Sequence, residues 1–92
     1  MLVKVANPET GKSITVDAKP GSIHTVIPAG LMYRLGLRPR GKMAIGTSCS
    51  VIYVDYVLVE VEFNGRKALV KAVVSLDSSE VILGLDVLNG VH

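Results

Sequence analysis

A chain of 92 residues that is 49% hydrophobic and 20% charged holds one small core and is too apolar to be intrinsically disordered. Its net charge of +2 comes from ten basic and eight acidic residues mixed along the chain, with only Arg38 to Lys42 locally dense, which is too little for a nucleic-acid footprint. No apolar run approaches the roughly 20 residues of a membrane span, and the N-terminus lacks the basic segment and apolar core of a signal peptide. One domain over residues 1–92, in the cytoplasm and away from membranes, is the expectation. Cys49 is the only cysteine, which excludes an intrachain disulfide or a cysteine-rich zinc site and suggests a free thiol, buried or half-buried.

In chain order, Met1 to Ala6 and Ser13 to Ala18 are short β-branched runs separated by Asn7-Pro8-Glu9-Thr10-Gly11, a first hairpin whose Pro and Gly set the turn. Lys19-Pro20-Gly21-Ser22 reads as a tight turn before His24-Thr25-Val26-Ile27-Pro28. A brief helix is predicted over Ala29 to Leu35, with Pro28 at its entry and Gly36 where a left-handed cap falls. Met43 to Tyr56 suggests a hairpin with a small polar tip at Gly46 to Ser50. Val57, Val59, Val61 and Phe63 alternate with Leu58, Glu60 and Glu62, which puts the apolar side chains on one sheet face and two solvated carboxylates on the other. Asn64-Gly65 then predicts a type I′ turn returning into Ala68 to Ser75. A turn at Asp77-Ser78-Ser79, a strand over Val81 to Leu83 and a helical turn starting near Asp86 complete the chain. Short strands joined by turns, with one short helix, predict an all-β barrel or sandwich.

The order of these parts, together with "TVIP" at Thr25 to Pro28, "LGL" at Leu35 to Leu37 and "ILGLDVL" at Ile82 to Leu88, resembles the retropepsin-like aspartic peptidases, in particular their single-domain cellular members. The resemblance spans nearly the whole chain. It implies a closed all-β acid-protease barrel, an Ile82-Leu83-Gly84 motif supporting the catalytic turn alongside Thr25, and a homodimer whose cleft holds a peptide or protein ligand. No cofactor is expected. Members of the family carry Asp-Thr-Gly-Ala or a close variant six residues before the matching Thr. Here that register reads Lys19-Pro20-Gly21-Ser22, so the acid is missing from its place.

Aspartic peptidase chemistry needs two carboxylates, one from each copy, sharing one proton. A lysine ammonium has donors and no acceptor. The chain is therefore expected to be catalytically inactive as it stands, whether the lysine is natural or engineered, and to keep at most the binding of an extended peptide in a dimer cleft. One alternative is an active peptidase in which Asp17 takes the catalytic place in a turn lengthened by two residues. Another is a purely structural self-association domain. Ser22 and His24 lie two apart but have no evident orienting group for nucleophilic chemistry. The hairpin tip, with one glycine and Cys49, suggests a stiffer flap than the family's, and Tyr53 and Tyr56 suggest packing residues with polar tips. His24 and His92 match no metal-ligand spacing. After Leu88 the chain ends at His92, where the resembling proteins continue into a further helix and a strand of the dimer sheet, so either the chain is trimmed or the interface differs.

Overall fold

The computed structural model describes residues 1–77 and 79–88, without the side chain of Asp86. Ser78 of the expected third turn, and His92 with the rest of the expected C-terminal end, lie outside the described residues. The elements are β1 (Leu2–Ala6), β2 (Ser13–Ser22), β3 (Val26–Pro28), α1 (Ala29–Arg34), β4 (Gly41–Gly46), β5 (Val51–Phe63), β6 (Arg66–Ser75), β7 (Val81–Gly84) and α2 (Leu85–Leu88).

The strands run in the order β1-β2-β7-β3-β6-β5-β4, and β1 also pairs with β5. That last pairing, Val5 opposite Val61, closes six strands into a barrel and leaves β4 outside it. Alternation decides which face turns inward. Val3 and Val5 of β1, Val57, Val59 and Val61 of β5, and Val70 and Ala72 of β6 are buried in one cluster with Ile27, Leu83 and Val87. Glu60 and Glu62 lie on the opposite face of β5, partly exposed, each 3.9 Å from Lys67.

Local chemistry explains the turns. Asn64 and Gly65 both have positive φ, 53° and 75°, as a type I′ turn requires, and Phe63 pairs with Arg66 across it. Helix α1 starts after Pro28 and ends in a Schellman arrangement: the Gly36 N–H donates to the Tyr33 carbonyl and the Leu37 N–H to the Met32 carbonyl, with Gly36 at φ 67°. Its buried face carries Leu31 and Met32.

Two segments differ from expectation. The turn expected at Lys19 to Ser22 is the bulged end of β2, because β7 lies parallel alongside it and pairs through Gly84; the chain bends instead at Ile23 and His24. The return strand of the Met43 to Tyr56 hairpin and the strand after it are one continuous element, β5. Its first half pairs with β4 and its second with β6 and β1, so no break is needed where the partner changes.

Candidate functional site

The site is built where β2 and β7 run parallel. Lys19 pairs with Ile82, Pro20 with Leu83, and Ser22 with Gly84, with a bulge between Pro20 and Ser22. Gly21 sits in that bulge at φ 147°, a value that L side chains rarely adopt. The β1 side of β2 is occupied only as far as Ala18, whose N–H donates to the Met1 carbonyl. Beyond it the edge is open, so Pro20, which has no N–H, forfeits no ladder bond there.

Thr25 ties this end together. It is fully buried, and its Oγ1 accepts a hydrogen bond from the Gly84 N–H at 3.1 Å, while its carbonyl accepts from the Val73 N–H at 2.8 Å. Ile82 lies between β2 and β3, opposite both Lys19 and Val26, and Leu83 is fully buried beneath. The fold thus brings Thr25, Ile82, Leu83 and Gly84 against Lys19, Pro20, Gly21 and Ser22.

Two ion pairs lie at this end. Lys19 Nζ lies 3.1 Å from Glu80 Oε1, with both side chains largely in solvent. Asp17 is two residues back on the same face of β2, exposed, with its Oδ1 2.8 Å from the Met1 ammonium. That hydrogen bond and charge, helped by Lys19, hold its carboxyl below the usual aspartate range. Asp17 also borders an open groove of about 540 Å³ lined by Val16, Leu31, Arg34 and Val81. At about 3.3 Å per residue, Gly21 is some 13 Å further along the strand. Ser22 and His24 are both half-buried and no hydrogen bond joins them among the described residues.

The β4–β5 ribbon carries the flap-like tip. Thr47 organises it: its Oγ1 accepts from the N–H groups of Cys49 and Ser50 and donates to the Ser50 carbonyl. Cys49 is a free thiol and is exposed rather than buried, because the tip stands clear of the barrel. Tyr56 packs: its ring abuts Gly41 and lies 5.2 Å from Lys71 Nζ. Tyr53 does not pack, and with Val51 and Ile52 it stays exposed. Among the described residues there is no cluster of three or more metal-ligating side chains, and no helix is long and apolar enough to cross a membrane.

No family model and no curated protein matches the chain. Solved structures do. The EIAV protease complexed with the inhibitor HBY-793 superposes with a TM-score of 0.65 at 22% identity, over 98% of this chain and 84% of that one. The fold is retropepsin-like. The simian foamy virus (mac) protease gives a TM-score of 0.57 at 18% identity, over 92% of this chain and 88% of that one. A protein of unknown function from Legionella pneumophila gives 0.51 at 9%, over 96% and 83% respectively. Within this retropepsin-like fold, sequence reasoning missed two residues of the site. Glu80 is 61 positions from its partner Lys19, and no local pattern signals that pairing. The Met1 ammonium, 16 positions from Asp17, is legible only once β1 is known to pair with β2.

Proposed function

We propose that this chain is a retropepsin-like domain without peptidase activity, which associates with a second copy and holds an extended peptide in the cleft between them. The observation that carries this reading is Lys19: the residue entering the Gly21 bulge beside Ile82-Leu83-Gly84 is an exposed lysine. Peptide hydrolysis by paired aspartates needs two carboxyl groups sharing one proton, and an ammonium accepts nothing. Asp17 fits the catalytic role poorly, since the Met1 ammonium lowers the pKa of its carboxyl, against the holding of a shared proton, and its place in regular strand pairing opposite Leu2 offers no backbone N–H cradle. Binding makes smaller demands. Strand addition uses main-chain hydrogen bonds and alternate side-chain pockets; the open edge of β2 beyond Ala18, exposed Ile23, and the exposed Val51, Ile52 and Tyr53 of the ribbon supply both. The same apolar surface favours a second copy as partner. A cytoplasmic location belongs to the proposal, since the exposed free thiol of Cys49 suits a reducing compartment.

The test compares the parent chain with the Lys19→Asp, Pro20→Thr double variant at equal concentration on an unstructured protein substrate, from acid to neutral pH, with an aspartic-peptidase inhibitor as control. The expected result is cleavage by the double variant alone, and saturable peptide binding without cleavage by the parent. Cleavage by the parent that disappears in Asp17→Asn would overturn the reading and assign the acid to Asp17. A parent dimer in sedimentation that neither cleaves nor binds leaves self-association as the role.

A further inference from the structure

The ion pair at Lys19 points to the chemistry of the ligand. We infer that the peptide taken up at this end of the barrel carries a carboxylate facing Lys19, and that Glu80 occupies the lysine until that ligand arrives. The inference rests on the peptide-binding reading above. Its structural basis is the Lys19–Glu80 pair itself: a carboxylate already sits 3.1 Å from Nζ, on the exposed face where β2 and β7 run side by side. Both partners are more than half exposed, so the pair is weak and readily exchanged for a second carboxylate. The neighbouring acid, Asp17, is held chiefly by the Met1 ammonium, 2.8 Å away, and feels Lys19 only as a lesser charge.

The surroundings specify the rest of the ligand. Ile23, four residues on at the bend that follows β2, is 71% exposed and offers an apolar contact further along an extended ligand. Pro20 presents no N–H to the incoming chain. A peptide with an acidic residue flanked by aliphatic ones fits this surface. Replacing the acid by its neutral amide keeps the shape and one acceptor oxygen but removes the Coulomb attraction.

Two fluorescently labelled decapeptides test this, identical except for a central Asp or Asn between Val and Leu, titrated by anisotropy at low and high salt. The parent is expected to bind the Asp peptide about two- to fivefold more tightly at low salt, with the gap narrowing at high salt. Glu80→Gln, which removes the internal competitor, widens the gap. Lys19→Met abolishes it, whereas Lys12→Met, which removes the same charge from the first turn, leaves it in place; circular dichroism verifies the fold of each variant. Equal binding of the two peptides by the parent overturns the inference and leaves the peptide-binding reading standing. Binding of neither peptide overturns both.

Discussion

Replacing Thr25 by Val tests the junction on which the whole site is hung. The substitution keeps the β-branched shape that suits a strand and exchanges only the hydroxyl for a methyl. Thr25 is fully buried, so the Gly84 N–H that donates to its Oγ1 at 3.1 Å would lose its acceptor where water cannot replace it. A buried donor left unsatisfied costs about 1–3 kcal/mol. For a domain of this size each kcal/mol corresponds to about 4–8 °C in Tm, so the expected drop is roughly 4–20 °C. Urea and thermal unfolding at fixed protein concentration measure it, with Thr15→Val on the exposed face of β2 as a control that should stay within about 0.5 kcal/mol. Hydrogen exchange localises the effect: the Gly84 amide should lose protection, while the Val73 amide, bonded to the backbone carbonyl of Thr25, should largely keep its own. A Thr25→Val variant as stable as the parent, with Gly84 still protected, would refute the claim that this hydroxyl secures β7 beneath the β2 bulge.

Asn7→Ala removes the side chain that donates to the Leu35 carbonyl and accepts from the Glu9 N–H at a buried position; a loss of about 1–3 kcal/mol in urea unfolding is expected, and an unchanged midpoint would show that the clamp between the first turn and the end of α1 is dispensable. Gly65→Ala meets no neighbouring atom but forces an L residue to φ 75°, which costs about 1–2 kcal/mol; Gly46→Ala, also in open space but without positive φ, should be neutral or stabilising. Asp17 has a lowered pKa when folded, so its ionised form favours the native state above the ordinary aspartate pKa, and that contribution is lost as pH falls through the lowered value. The parent should therefore exceed Asp17→Asn in stability at neutral pH, with the difference closing in strong acid and shrinking in salt; a difference independent of pH would refute the pairing with Met1.

What the sequence determined by itself is whatever a few adjacent residues can impose. Asn64-Gly65 specifies its turn because only residues tolerant of positive φ fit there; Gly36 ends α1 for the same reason. The valines of β5 declare their inner face through a period of two, and the ordered motifs from Thr25 to Leu88 were enough to anticipate the barrel. What only the tertiary structure decided are the encounters between distant segments. The bulged extension of β2 exists because β7 arrives parallel beside it, and β5 stays unbroken because its first half is covered by β4 and its second by β6 and β1. Cys49 and Tyr53 are exposed because the ribbon tip projects from the barrel, a matter of position that residue type does not encode. The ion pairs of Lys19 with Glu80 and of Asp17 with Met1 belong to the same class. Exposed charges are too weakly held to direct folding; they take whichever partners the burial of the valine core has already brought within reach.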